Sequence, residues 1–252
     1  MNWPALRWDQ VATLSSEGLR QADARARDEF GIEPLQLMEI AGWQIARFVE
    51  AFMDGVRDKR VLVVAGSGNN GGDALVAARF LHQRGASVSA AIVTAKDRGS
   101  LVARHTATIA RLGIRFSEAP AGIDPSVDVI VDGLLGTGIR PPLRDPAPQI
   151  IEAINKAGQP VIAVDVPSGM DADDATGADQ AVRATATVTL AAPKAGLGLT
   201  ARAGRIFLAD IGMPASLFST ARDALMAIYR MGDLVELRRP NPRSPTLDTT
   251  PS

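Results

Sequence analysis

The sequence predicts an α/β fold with a mostly parallel central sheet covered by helices on both faces. Two observations carry this. From residue 61 to 210, short apolar runs alternate with helix-length segments, the pattern of repeated strand–helix–strand units. The runs VLVVA (61–65) and VIAV (161–164) are apolar at every position, as in strands buried on both sides.

In order along the chain, residues 12–30 form a helix that Ser15 or Ser16 can cap, with Leu19, Ala22, Ala26 and Phe30 on one face. Gly31 and Pro34 break it, and 35–54 form a second helix with a broad apolar face. Then come a strand at 61–65, a helix from Asp73 to Gln83, a strand at 87–94 and a helix from Ser100 to Leu112. A strand at 127–135 leads through a Gly/Pro-rich loop to a helix at 147–157. Strands at 160–166, 186–192 and 205–210 complete the alternation. The chain therefore reads as one domain over 1–238, followed by a flexible tail or truncated linker at 239–252 that lacks an apolar face.

The length of 252 residues suits one large α/β domain, and 46% apolar with 22% charged residues is ordinary for a globular protein. A net charge of −1 provides no broad basic field for nucleic acid or anionic lipid. With no cysteine, disulfides, thiol nucleophiles and Cys-ligated zinc are excluded. This agrees with a cytoplasmic location. No apolar run is long enough for a membrane span, and the N-terminus lacks a secretory pattern. Two histidines leave little room for His-based metal sites or Ser-His triads.

Ligands of open parallel sheets sit beyond the carboxyl ends of the strands. Three strand ends supply oxygen there: Gly66 to Asp73, then Asp132 with Gly136-Thr137-Gly138, then Asp165 with Pro167-Ser168-Gly169. The first loop, GSGNNG, matches the dinucleotide fingerprint G-x-G-x-x-G. Its glycines permit positive φ and close backbone approach to a ligand, and a helix starting near Gly72 offers free N–H groups to an anion. Two features argue against a hydride-transfer enzyme. The next strand ends in Thr94 rather than an acidic ribose ligand, and Asp73 adds negative charge where phosphates would lie. The plain alternative is that Asn69 and Asn70 make a turn and Asp73 complements the helix dipole.

Asp132 and Asp165 each follow a buried strand, where a carboxylate needs a partner; a structural hydrogen bond is the simple reading of either one alone. With Asn70 and Ser168 they form an oxygen-only donor set, which suits a hard cation rather than zinc or copper. His82 and His105 lie in helices without a partner in register and read as surface or packing residues. Lys194 follows a strand and is either a ligand contact or a solvated lysine. The charge run from Arg20 to Glu29 reads as a solvated helix face with i,i+4 pairs. Ser168 has no histidine nearby to activate it as a nucleophile.

Several segments together resemble the NAD(P)H-hydrate epimerases, the YjeF N-terminal domain family: GSGNNGGDALVAARFL, VDGLLGTGIRPP, VDVPSGMDADDATG, ATVTLAAPKAGL and the early LMEIAG. NNGGD followed by D-x-x-x-G-T-G and D-x-P-S-G is far more specific than the spaced glycines. The resemblance spans roughly residues 12 to 213 and implies a Rossmann-like three-layer α/β/α sandwich, commonly dimeric. It implies that Asn69, Asn70, Gly71, Gly72, Asp73 and the loop Gly136, Thr137, Gly138, Ile139, Arg140, Pro141, Pro142 bind the hydrated dinucleotide (NADHX or NADPHX). It further implies that Asn70, Asp132 and Ser168 hold a potassium ion (K+), and that Asp165 contacts the damaged nicotinamide ring as acid/base. The implied reaction interconverts the R and S hydrates at C6 of the ring, without net redox, for a partner ADP- or ATP-dependent dehydratase that is a separate protein or a fused domain. The chain then reads as a stand-alone epimerase or a fragment of a bifunctional protein. The sequence departs from the family at Ile40, where Asn is frequent, at Ala74, where Gly is common, and in lacking a tyrosine shortly after the GTG loop. The competing readings are a non-catalytic scaffold of the same fold and, with less support, an NAD-dependent oxidoreductase.

Overall fold

The computed structural model describes residues 3–95 and 97–240. Among them the strands are β1 (Ala5–Arg7), β2 (Arg60–Ala65), β3 (Ser87–Ile92), β4 (Arg115–Glu118), β5 (Val129–Gly133), β6 (Val161–Val164), β7 (Ala186–Leu190), β8 (Arg205–Ala209) and β9 (Leu234–Arg238). The α-helices are α1 (Ser16–Phe30), α2 (Pro34–Phe52), α3 (Asn69–Gln83), α4 (Leu101–Arg111), α5 (Ala147–Ala157), α6 (Ala195–Leu199) and α7 (Arg222–Tyr229).

One sheet holds all nine strands in the order β1-β9-β8-β7-β6-β5-β2-β3-β4. Neighbours are parallel except β8 and β9. The chain builds β2, β3 and β4 in one direction and then returns to place β5 on the other side of β2. The β2/β5 junction is therefore the topological switch point, where open α/β sheets bind ligands.

Strand β2 explains the two-sided apolar pattern. Val61, Val63 and Ala65 join the core beneath α1–α4, while Leu62 and Val64 join a second core with Ile150, Ile151 and Ile154 of α5. Phe48 and Phe207 meet at 4.6 Å between ring centroids in the larger core. The sheet is thus sandwiched between helical layers, as the sequence predicts.

The helix ends follow their local chemistry. Ser15 Oγ accepts from Gly18 N at 3.1 Å, and Gly31, at φ 64°, closes α1 in the left-handed region. Helix α1 starts at Ser16 rather than at residue 12, because Leu14 bridges in parallel to Lys194 instead. Pro34 opens α2 as its first residue, where a proline loses no intrahelical bond.

Five elements escape the sequence pattern: β1, β4, α6, α7 and β9. Strand β4 is exposed at every residue on the sheet edge, so it carries no apolar signal. Strand β9 pairs with β8 through Leu237, and Glu236 is buried against Arg205 at 2.8 Å. Of the expected tail, residues 241–252 lie outside the described residues. Among the described residues no helix is long and apolar enough to cross a membrane.

Candidate functional site at the strand carboxyl ends

Asp132 lies in β5 with no surface exposed to solvent. Its Oδ1 accepts from Ser168 Oγ at 2.6 Å and Leu134 N at 3.2 Å, and its Oδ2 accepts from Ser168 N at 2.9 Å. Ser168 Oγ in turn accepts from Leu135 N at 2.8 Å. Asn70, from the first turn of α3, donates to Leu135 O at 2.9 Å. Three residues expected together from separate segments thus meet at the switch point, knitted through the main chain after β5.

Among the described residues no lysine, arginine or histidine pairs with Asp132. Its burial pushes its pKa up to about 6, against the lowering effect of the Ser168 and Leu134 hydrogen bonds. A buried carboxylate without a counter-charge, ringed by the Asn70 amide, the Ser168 hydroxyl and the Leu135 carbonyl, suits a hard cation in donor chemistry. Among the described residues no group of three or more His, Asp or Glu side chains is arranged to hold a metal ion by itself.

The glycine motif works differently from the expectation. Helix α3 begins at Asn69, not near Gly72, so the NNGGD segment forms its first turns. None of Gly66, Gly68, Gly71 and Gly72 adopts positive φ. A Cβ on Gly66 would sit 1.8 Å from Leu134 O, and one on Gly71 would sit 2.0 Å from Gly66 O. The glycines let the β2 and β5 loops and the start of α3 pack onto one another. Only Gly68 faces open space. It is the N-cap and offers no side-chain cap; Gly71 N and Gly72 N donate to Gly68 O, so the Asn69 and Asn70 N–H groups are the ones left for an anion.

Asp165 follows β6, next to β5 in the sheet. It adopts φ 66°, a left-handed conformation that is uncommon for a non-glycine residue and concentrates at functional sites. Its Oδ1 accepts from Lys194 Nζ, from Leu190 N at 3.0 Å and from Thr189 Oγ1 at 3.3 Å. Lys194 is 1% exposed, so the solvated-lysine alternative is overturned. The charged group is buried because it has a charged partner. The signal for this pair was the placement of each residue just after a buried strand; the strands are neighbours, β6 and β7.

Asp73 and Asp23 complete the electrostatic surroundings. Asp73 of α3 is buried, and its pKa stands well above the ordinary carboxylate range, through burial first and then the charges of Asp165 and Asp23. Burial and the neighbouring carboxylates thus oppose a negative charge at this position. Asp23 of α1 is also raised, by desolvation first, while Lys194 opposes the shift. The charge run on α1 does carry surface pairs, such as Arg25–Glu29 at 2.7 Å, but Asp23 belongs to the site's field.

In the loop 136–142, a Cβ on Gly136 would lie 3.2 Å from the Asn70 side chain, so this end adjoins the oxygen cluster. At the other end Arg140 pairs with the buried Asp171 and, at 3.3 Å, with Asp173. Asp173 accepts from Ser16 N at 2.7 Å, which ties the loop to α1. Thr137 and Ile139 are half-buried, while Gly138 and Pro142 are exposed; Pro141 packs beside Gly177. His82 is exposed and His105 is buried in α4, away from this cluster. A cleft of about 340 Å³ lies beyond β3 and β4 against Thr94, Arg98, Phe116 and Glu118, and one of about 480 Å³ lies against Asp179, Arg183 and Arg202. Neither includes Asp165 or Asp132.

Residues 34–196 match the family described as YjeF-related protein N-terminus. The chain is 35% identical over 216 residues to a protein named NAD(P)H-hydrate epimerase from Rhodopirellula baltica, covering 82% of this chain and 87% of the relative. It is 36% identical over 214 residues to another of that name from Weissella koreensis, covering 81% and 94%. It also matches a protein named bifunctional NAD(P)H-hydrate repair enzyme from Salinibacter ruber, at 34% identity over 83% of this chain, but spans only 42% of that longer relative. The crystal structure of the yeast protein ynu0 superposes with a TM-score of 0.72 at 26% identity, covering 79% of this chain and 88% of the yeast chain.

Proposed function

The chain belongs to the YjeF-related protein N-terminus family, and on that premise we propose that it interconverts the R and S hydrates of NADH and NADPH at C6 of the nicotinamide ring. The observation that carries the reading is the meeting of Asn70, Asp132 and Ser168 at the sheet's switch point, with Asp165 following the adjacent strand β6. A scaffold of this fold has no need of a buried carboxylate lacking a counter-charge, nor of a left-handed aspartate after the neighbouring strand. An oxidoreductase is disfavoured by Thr94 where an acidic ribose ligand belongs.

In this reading the start of α3, Asn69, Asn70, Gly71, Gly72 and Asp73, borders the dinucleotide, with the N–H groups of Asn69 and Asn70 as its anion donors. The loop 136–142 borders the substrate, with Arg140 holding it against Asp171 and Asp173. Asp165 gives and takes the proton that interconversion at C6 requires. Asn70, Asp132 and Ser168 hold a potassium ion. When bound, the ion supplies a fixed positive charge that offsets Asp132 and firms the loop after β5. The functional partner is a nucleotide-dependent dehydratase that consumes one epimer, consistent with the bifunctional names of several relatives. We place the reaction in the cytoplasm and expect a homodimer.

The test is a coupled assay. A mixture of R and S hydrates is given to a dehydratase specific for S, with its nucleotide, with and without this protein. Faster consumption of the R hydrate is the expected result; no acceleration sinks the enzymatic reading in favour of a scaffold.

A further inference from the structure

We infer that Lys194 is the positioning residue of this reaction: it holds Asp165 by Oδ1 and leaves Oδ2 as the atom that exchanges a proton with substrate. The inference rests on the epimerase reading and adds to it a residue and an atom.

The geometry divides the carboxylate into two unlike halves. Oδ1 receives Lys194 Nζ, Leu190 N at 3.0 Å and Thr189 Oγ1 at 3.3 Å. Among the described residues no donor reaches Oδ2. An oxygen with three donors has little basicity left to offer, whereas Oδ2 keeps its lone pairs for a substrate proton.

Lys194 is itself fully engaged. Its three N–H bonds have three acceptors: Asp165 Oδ1, Leu190 O at 2.7 Å and Thr189 Oγ1 at 3.2 Å. The backbone around it is pinned on both sides. Leu14 N donates to Pro193 O at 2.9 Å, and Gly196 N donates to Ala172 O at 2.8 Å. The ammonium is thus a fixed charge rather than a mobile side chain, and it holds the aspartate in its left-handed backbone conformation. Through its charge Lys194 also acts on Asp23 of α1 and Asp73 of α3, lowering the pKa of each against their burial. It is the cation these three carboxylates share.

The proton balance closes without a co-reactant. The C6 hydroxyl gives its proton to Oδ2 as the C6–N1 bond breaks, with the bond's electron pair going to N1 and leaving an aldehyde at C6. N1 re-forms the bond on the aldehyde's other face, and the proton returns from Oδ2 to the C6 oxygen. Lys194 neither loses its own proton nor touches the reacting carbon; it preorganises the base.

The test uses the full chain and hydrated NADH. Lys194→Met keeps most of the side chain's volume and removes its charge. The expected result is a fall in kcat of about 10²-fold, with KM changed by less than about threefold. Lys194→Ala is assayed with added ethylammonium and, in parallel, with ethanol; activity returns with the cation and not with the neutral molecule of similar size. If Lys194→Met does not fold, Thr189→Val takes its place and lowers kcat about fivefold at unchanged KM. Wild-type kcat in the variant that folds, or equal rescue by ethanol, overturns the role of Lys194 and leaves the epimerase reading intact. An inactive wild-type protein overturns the epimerase reading itself.

Discussion

The uncompensated charge on Asp132 has a measurable cost. Burial lifts its pKa from the ordinary 3.8 to about 6, a gap worth about 3 kcal/mol. A carboxylate whose pKa is raised on folding binds its proton more tightly in the folded state. Stability from this group is therefore greatest below about pH 4 and declines as pH rises to about 6, then stays level. Other groups act in the opposite sense, for instance Asp173 and Glu236, whose pKa values are lowered. The contribution of Asp132 is isolated by subtracting Asp132→Asn from the wild type. Urea denaturation from pH 4 to pH 8, in tetramethylammonium chloride at fixed ionic strength, should show the wild type losing about 2.5 kcal/mol relative to the variant. Replacing that salt with potassium chloride should shrink the loss, since an ion bound only by the folded state adds RT ln(1 + [K+]/Kd). A pH-independent difference between the two proteins would refute the assignment of an unpaired buried charge. A pH-dependent difference that ignores potassium would remove the cation from the site.

Two further perturbations probe the frame around the chemistry. Gly66→Ala places a methyl group 1.8 Å from Leu134 O, so the β2 and β5 loops must separate; thermal denaturation should register a loss of about 1–3 kcal/mol, and unchanged stability would contradict the close-approach role. Arg140→Ala frees the loop 136–142 from Asp171 and Asp173. Because the Arg140 side chain is largely exposed, the stability cost is small, and the main effect should be a raised KM for the hydrated dinucleotide.

The legible part of the fold was its periodic part. Strand β2 and helix α5 declare themselves because their apolar residues answer to two packed faces or one. Strand β4 does not, since its four residues lie exposed on the sheet edge and only backbone pairing with β3 makes them a strand. Strand β9 owes its place to register with β8, which no local pattern encodes. The start of α3 was misplaced because Asn and Gly are weak helix formers; packing against the β5 loop draws them into the helix. The oxygen cluster was legible as three residues at strand ends, and the structure brings Asn70, Asp132 and Ser168 together. The Asp165–Lys194 pair was not, because the sequence shows two residues each after a strand but not that the strands are neighbours. Asp23 was hidden inside a charge run whose other members are ordinary surface pairs.

The most direct measurement uses no coupling enzyme. Purified R hydrate of NADH is incubated with the wild-type protein or with Asp165→Asn, and both epimers are followed by chromatography together with NADH and NAD+. The wild type should bring the R and S forms to equilibrium from either side without producing NAD+. The variant should do so at least about 10²-fold more slowly while unfolding as cooperatively as the wild type. Equal rates in the two proteins would contradict Asp165 as the acid/base, and formation of NAD+ in step with substrate loss would contradict epimerisation altogether.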